Sequence, residues 1–279
     1  MSNNARNSRD KVINVKKTAT KVMVKSPLRY PGGKSRAVEK LFQYVPSNTQ
    51  KLCSPFFGGG SFEIYCAQKG IRVYGYDIFQ PLVDFWQCLL KDPERLADEI
   101  EKFRPLKKED FYKLQKVHIQ SKNKLERATL FYVLNRTSFS GSTLSGGMAS
   151  GGPHDNPRFT KSSVDRIREF RIRNLTVNMR DFKESISKHK GTLLYLDPPY
   201  LIENKLYGRK GDLHRDFDHE GLARLLHKRE KWILSYNESE EIRDLYKGYR
   251  IKTPKWTYGM SSNKKSREIL ILSNDISSP

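Results

Sequence analysis

Asp197-Pro198-Pro199-Tyr200 puts a carboxylate, a free carbonyl and an aromatic ring within four residues. A carboxylate and a carbonyl are two acceptors, so together they can hold both hydrogens of an –NH2 group. An aromatic ring can stack on a flat heterocycle. An exocyclic amine on a nucleobase meets both demands. Holding it this way draws density toward nitrogen and aims its lone pair. The four residues follow Thr192-Leu193-Leu194-Tyr195-Leu196, an apolar run that reads as a short buried strand. Asp197 precedes a proline, which holds its backbone near β or polyproline geometry. Pro198 and Pro199 have no N–H and end the ladder. The acid therefore stands at the C-terminal edge of a strand, where open α/β sheets bind their ligands. A strand end followed by a Pro-Pro turn would explain the same residues without chemistry, so the neighbouring segments decide.

A second segment, Leu52–Ser61, runs from a short strand through Pro55-Phe56-Phe57 into Gly58-Gly59-Gly60, and a helix follows over Phe62–Lys69. The next strand, Ile71–Tyr76, ends at Asp77, 19 positions after Gly58. That is close to the spacing at which a dinucleotide fold sets an acid on a ribose hydroxyl. The third glycine of G-x-G-x-x-G is missing, and Glu63 stands there. A negative side chain at this point opposes a pyrophosphate. It suits a nucleoside without phosphate that carries a positive sulfonium, and S-adenosylmethionine is such a ligand. Upstream, Pro27–Lys34 reads as a turn with a helix starting at Ser35. Gly33-Lys34-Ser35 is no phosphate loop, because Leu28 occupies the position where that motif needs glycine.

The remaining elements follow in order. Leu175, Val177 and Met179 alternate as a strand ending at Asp181-Phe182. Leu201–Asp218 is loop-like and holds Lys205, Tyr207, Arg209 and Lys210. Leu222, Leu225 and Leu226 mark a helix, and Trp232–Tyr236 and Glu268–Leu272 read as late strands, the last antiparallel. Between Phe85 and Leu134 the texture is helical and charged, with Leu125, Thr129, Leu130, Val133 and Leu134 on one face of a helix from Lys124. The order predicts one α/β domain interrupted by a second. The expected divisions are a basic tail at 1–25, a cofactor-binding domain from 26–85 and 176–279, and an inserted domain at 86–175.

Charge narrows the partner. Lys and Arg number 52 against 31 Asp and Glu, a net +21, which calls for a polyanion, with nucleic acid first. The first 25 residues hold seven of the basic residues against one Asp. No apolar run approaches the roughly 18 residues that span a bilayer, and no apolar secretory h-region opens the chain. Cys53, Cys66 and Cys88 are too few and too scattered for a disulfide framework or a zinc site. A reducing cytoplasm is the expected location.

The Pro-Gly-Gly-Lys turn, the glycine loop, the insertion and Asp-Pro-Pro-Tyr, in that order, make the chain resemble the Dam-like DNA adenine-N6 methyltransferases, the alpha group of amino-methyltransferases. The likeness runs from Pro27 to about Asn274. It implies a Rossmann-like S-adenosylmethionine-dependent methyltransferase sheet with helices on both faces, plus an inserted, mainly helical target-recognition domain with a β-hairpin. It implies S-adenosylmethionine as methyl donor, with Tyr30 and Lys34 near its methionine part. Ser54, Pro55, Phe56, Phe57, Gly58, Gly60 and Ser61 would cradle it, with Asp77 on the ribose hydroxyls and Asp181-Phe182 at its adenine. Asp197, Pro198, Pro199 and Tyr200 would form the catalytic motif: Asp197 and the Pro198 carbonyl hold the N6 amine, and Tyr200 stacks on a base flipped from double-stranded DNA. No metal and no nucleophilic side chain is needed.

Residues 135–152 resemble the hairpin that these enzymes place in the groove, with Asn135, Arg136, Ser138, Phe139 and Ser140 toward DNA. Phe139 is the candidate wedge, and Arg136 the support of the hairpin. The family's GATC readers carry a basic residue shortly after this block. Ser142–Gly152 has none, which tells against GATC. A cognate restriction endonuclease is a further possible partner. The alternatives are a cytosine-N4 methyltransferase, whose motif more often opens with Ser, and a non-catalytic DNA-binding relative.

Overall fold

The computed structural model describes residues 23–118, 120–141, 143–144, 146–149, 158–201, 217–254 and 268–277. Most of the basic tail, residues 202–216 where the sequence reads as a loop, residues 255–267 and part of the glycine-rich run lie outside them. Seven strands form one sheet: β1 (Lys51–Ser54), β2 (Arg72–Asp77), β3 (Leu175–Met179), β4 (Leu193–Leu196), β5 (Trp232–Asn237), β6 (Arg250–Lys252) and β7 (Glu268–Leu272). Their order is β3-β2-β1-β4-β5-β7-β6. The first five are parallel, and β7 runs antiparallel to both β5 and β6. Ten helices accompany them among the described residues: α1 (Val38–Phe42), α2 (Ser61–Gln68), α3 (Gln80–Lys91), α4 (Pro93–Glu101), α5 (Lys108–Val117), α6 (Lys124–Thr137), α7 (Lys161–Arg168), α8 (Phe182–Lys188), α9 (His219–Leu226) and α10 (Glu240–Leu245).

The central strands are apolar along their whole length because both faces of a parallel sheet are covered. Successive residues point to opposite faces. Leu193 and Tyr195 join the core that includes Phe62, Trp86, Phe131 and Val164, whereas Leu194 and Leu196 join the core of Phe182, Leu222, Leu226 and Ile242. The first face is thus covered by α2, α3, α6 and α7, and the second by α8, α9 and α10. The strand order reverses direction between β1 and β4. This is the topological switch point, where loops after adjacent strands part and leave a crevice at the C-terminal edge.

The expected strands at Leu52, Ile71, Leu175, Leu193, Trp232 and Glu268 all form, and the last is antiparallel as read. Three details differ. The helix expected from Ser35 begins only at Val38, because Lys34 accepts a bond from Ala37 N (2.7 Å) in a tight turn. Helix α6 is buried on more than the one face expected, from Ala128 through Asn135, since it lies inside the helical layer. Strand β6 is an edge of three residues, Arg-Ile-Lys, too short and too charged to show as a pattern.

One close approach tests the packing under the glycine loop. A Cβ at Gly75 would stand 2.2 Å from Cδ2 of Phe57. Phe57 is buried and its ring is locked edge-on against Trp86, centroids 5.2 Å apart. Alanine is normally better than glycine in a strand by about 0.5–1 kcal/mol, but overpacking typically costs about 1–3 kcal/mol. Gly75→Ala should therefore lower the urea unfolding midpoint; an unchanged or raised midpoint would show that Phe57 is free to move.

Candidate active site

The switch point holds a cavity of about 630 Å³. The glycine loop, Asp77, Asp181-Phe182 and the whole of Asp197-Pro198-Pro199-Tyr200 line it, together with Tyr30 and Lys34. Segments far apart in sequence converge here because parallel strands β1, β2 and β4 all end at the same edge.

The loop is shaped by aromatic rings. Gly60 has φ of 63° and heads α2; a Cβ there would meet the Phe57 ring at 2.7 Å. Gly58 has φ of 48°, and the Tyr30 ring lies where its Cβ would go, at 2.8 Å. Tyr30 thus covers the loop. Gly58 N donates to Asp77 Oδ2 (3.0 Å) and Phe79 N to Asp77 Oδ1 (3.0 Å), so Asp77 ties the end of β2 to the loop. Burial pushes the Asp77 carboxyl up, and these backbone donors oppose the rise. At the other end of the cavity Phe182 stacks on Phe56 (5.6 Å, 30°) and meets Phe217 at 5.3 Å. Asp181 caps α8 by accepting from Lys183 N (2.7 Å).

The densest chemistry surrounds Lys34, which is 4% exposed. Its ammonium donates to both oxygens of Asp197 (2.9 and 2.7 Å), to the Tyr200 hydroxyl (2.8 Å) and to the Gly32 carbonyl (3.1 Å). It also lies 3.0 Å from Glu268 Oε1. Tyr200 in turn donates to Glu268 Oε1 (2.7 Å), and Ser235 donates to the same oxygen. Burial alone would drive Lys34 toward its neutral form; Asp197 and Glu268 outweigh it and hold the ammonium charged. Burial, reinforced by Glu268, pushes the Asp197 carboxyl above the usual range despite its pairing, because one ammonium serves two acids. Burial and the same two acids keep the Tyr200 hydroxyl protonated.

Glu268, Ser235, Glu63 and Tyr195 are site residues that motif reasoning did not assign. Glu268 could be found only from topology: β7 is antiparallel, so its first residue arrives at the edge where parallel strands end. Glu63 is buried on the first turn of α2, accepts from Ser54 Oγ (2.7 Å), and is pushed by burial up to about 7. Tyr195 lies against the Phe62 ring at 4.3 Å, and its buried hydroxyl has no hydrogen-bond partner among the described residues.

Of the residues expected to face DNA, Phe139 is 65% exposed, whereas Asn135 and Ser138 are buried. The Asn135 amide accepts from Arg29 N (3.0 Å) and donates to Arg29 O (2.8 Å), which pins the segment leading to Tyr30. Arg136 donates twice to the Arg158 carbonyl (3.0 and 2.6 Å), a supporting role. Among the described residues of this stretch, Ser138 pairs with Met148 in an antiparallel bridge, and a 3₁₀ turn follows at Phe139–Gly141. The side chain of Ser140 lies outside the described residues.

A sheet of this order with a nucleoside-sized cavity and an Asp-Pro-Pro-Tyr lip at its switch point is consistent with a methyltransferase acting on an amine. The chain belongs to the D12 class of N6 adenine-specific DNA methyltransferases, whose family description matches residues 30–260. It is similar to the Type II methyltransferase M.MjaIII of Methanocaldococcus jannaschii, 26% identical across 82% of this chain and 90% of that protein. It is 24% identical to the DNA adenine methylase of Vibrio cholerae across 86% of this chain and 91% of that protein. It also resembles the Modification methylase LlaI of Lactococcus lactis, 26% identical across 67% of this chain and 32% of that longer protein. The chain is therefore an enzyme that methylates adenine N6 in DNA, and the cytosine-N4 and non-catalytic readings fall away. Among the described residues no helix is long and apolar enough to cross a membrane.

The Lys34 cluster carries a prediction about stability. Lys34→Met leaves the buried Glu268 and the half-buried Asp197 without their cation, and breaking a buried pair costs about 3–5 kcal/mol. An acid whose folded pKa is raised binds protons preferentially in the folded state, so its burden falls as pH falls. Urea unfolding should show the loss in full at pH 8 and a smaller loss at pH 5. An equal loss at both values would contradict the charge assignment.

Proposed function

We propose that the methyl donor is S-adenosylmethionine, held along the glycine loop, and that the target adenine is flipped out of duplex DNA to meet Asp197. The observation carrying this reading is that Asp197 and the glycine loop line one and the same cavity. The fit of the donor rests on three features. The volume of about 630 Å³ lies within the range of small-molecule sites, about 300–1,000 Å³. The glycine loop lines the cavity with bare backbone, the Tyr30 and Phe57 rings filling the space where Cβ atoms would stand. The lining acids Glu63, Asp77, Asp181 and Asp197 disfavour a phosphate-bearing nucleotide and favour a cation.

When bound, S-adenosylmethionine supplies an electrophilic methyl carbon; the residues of the chain do the positioning. Asp77 takes the ribose hydroxyls. Asp181 with Phe56 and Phe182 receives the adenine of the donor. Tyr30 and Lys34 stand at its methionine end, and Ser54, Pro55, Phe57 and Ser61 set the course of the loop. Asp197 uses the lone pairs left free by Lys34, two of about four, to accept one N6 hydrogen of the target, and the Pro198 carbonyl accepts the other. As N6 bonds to the methyl carbon it loses a proton, which Asp197 takes. Pro199 turns the chain so that Tyr200 stands beside the base. Orientation of this kind can supply on the order of 7–11 kcal/mol of a barrier.

A base inside a duplex cannot reach such a pocket, so it must leave the stack. Phe139, the exposed ring nearest this task, would fill the gap, with Asn135, Arg136 and Ser138 holding its turn from beneath and Ser140 completing it. In this reading residues 86–175 carry target recognition and 26–85 with 176–279 carry donor and catalysis. The likeness to a protein named as a modification methylase supports pairing with a restriction endonuclease of the same specificity.

With tritiated S-adenosylmethionine and duplex DNA, label should appear in N6-methyladenine after nucleoside digestion. Asp197→Ala should lower the rate by at least about 10²-fold while calorimetric binding of the donor stays within a few-fold. Equal labelling by the wild type and the variant would remove Asp197 from the chemistry.

A further inference from the structure

Within this donor reading, on which the inference rests, Glu63 has so far counted only as one acid of the cavity lining. Its carboxylate is buried, lines the cavity and accepts one hydrogen bond, from Ser54 at the end of β1. It sits on the first helical turn directly after the glycine loop, the position from which a phosphate-binding fold would exclude an acid. The groups it feels come from every element packed around it: Ser54 from β1, Asp197 and Tyr195 from β4 and its end, Lys34 from the turn before α1, and Cys66 from its own helix. Glu268 reaches the same cluster through Lys34 and Tyr195. Three acids thus share one ammonium. Counted with Glu63 ionised, the cluster is two negative charges in excess.

Glu63 therefore lies between the loop that would hold the donor and the carboxylate that would hold the target amine. The reacting sulfur must occupy that interval, because its methyl group has to face N6. We propose that Glu63 selects the donor by charge, favouring the cationic sulfonium of S-adenosylmethionine over the neutral sulfide of S-adenosylhomocysteine that remains after transfer. One bound cation beside the acid halves that excess. Once the methyl group has left as part of N6-methyladenine, the sulfur has regained its electron pair and is neutral, and when the proton taken by Asp197 has passed to solvent the excess negative charge returns. The same residue would then weaken the grip on the spent donor and speed its exchange.

This proposal makes Glu63 a specificity residue with a readout in binding, apart from turnover. Burial has already pushed its carboxyl up to about 7. A cation bound beside it favours the ionised form, so affinity for the sulfonium should rise with pH through that value, while affinity for the sulfide should not. The ratio of the two dissociation constants cancels titration shared by both ligands, such as that of their common amino-acid end. For one linked group with a midpoint near 7, that ratio should shift about tenfold in favour of S-adenosylmethionine between pH 6 and pH 8.

The test is isothermal titration of the full chain with each ligand at pH 6, 7 and 8, for the wild type, Glu63→Gln and Glu63→Asp. The proposal expects the tenfold shift in the wild type, a flat ratio in Glu63→Gln, and a retained slope with a moved midpoint in Glu63→Asp. Unimpaired binding of S-adenosylhomocysteine by the variants reports that they are folded. A flat ratio in the wild type overturns the proposal without any variant. So does a slope that survives unchanged in Glu63→Gln, which would assign it to Asp197. If the wild type binds neither ligand, the donor reading itself falls and takes the proposal with it; binding of both at a constant ratio leaves the donor in place and removes Glu63.

Discussion

The arrangement of the site depends on one ammonium group shared by two carboxylates, Glu268 buried and Asp197 half-buried at the cavity wall. Lys34 comes from a turn before the first helix, Asp197 from the end of the fourth strand and Glu268 from the start of the seventh. Nothing local brings these three together; only the closed sheet does. Parallel strands deliver their last residues to the catalytic edge, and a strand running the other way delivers its first. Reversing β7 is thus what places Glu268 at the hydroxyl of Tyr200 and the Oγ of Ser235. A seventh strand laid parallel would bring Leu272 to that edge and leave the ammonium with one carboxylate.

Stability does not account for such a cluster. Replacing a buried ionic group with apolar residues of similar volume is often neutral or stabilising. The surrounding sheet has apolar residues in plenty: Leu194, Leu196, Leu234 and Ile271 are fully buried within a few residues of the acids. What the cluster achieves is geometric. Lys34 binds both oxygens of Asp197, and Glu268 holds the hydroxyl of Tyr200, so the acceptor and the ring proposed to frame the target amine are set before any substrate arrives. Preorganisation of this kind moves reorganisation cost out of the reaction step and into folding. The acid balance also gives the cavity a negative character within a chain whose net charge is +21. The surface charge suits DNA, and the interior suits a cation.

Much of this was legible in the chain itself. Strand positions could be read because continuous apolar runs such as Leu193–Leu196 and Ile269–Leu272 have no other use in a short segment. The convergence of Asp197 with Gly58 and Asp77 followed from the rule that parallel strands open at one edge. Glu268 was hidden because a single acid at the head of an apolar strand looks like a solvent-facing boundary; its meaning lies in strand direction and register. Lys34 was assigned to the donor from the motif around it, and its bonds to Asp197 arise from packing across 163 residues that no local pattern encodes. Asn135 and Ser138 lay within a motif expected to face DNA, yet the bond of Asn135 to the Arg29 backbone could be seen only once α6 was found inside the helical layer. Phe139 stands exposed on its turn, which is compatible with the wedge expected there.

The central claim is that Asp197, steadied by Lys34 and Glu268, meets the exocyclic amine of an extruded adenine. A crystal structure with a sulfonium-mimicking donor analogue and a duplex containing the methylated sequence tests it most directly. The account predicts the target N6 at about 3 Å from both an Asp197 oxygen and the Pro198 carbonyl, with Lys34 still on the far side of the carboxylate. An adenine held in that pocket by other groups, with both Asp197 oxygens turned wholly to Lys34, would contradict it.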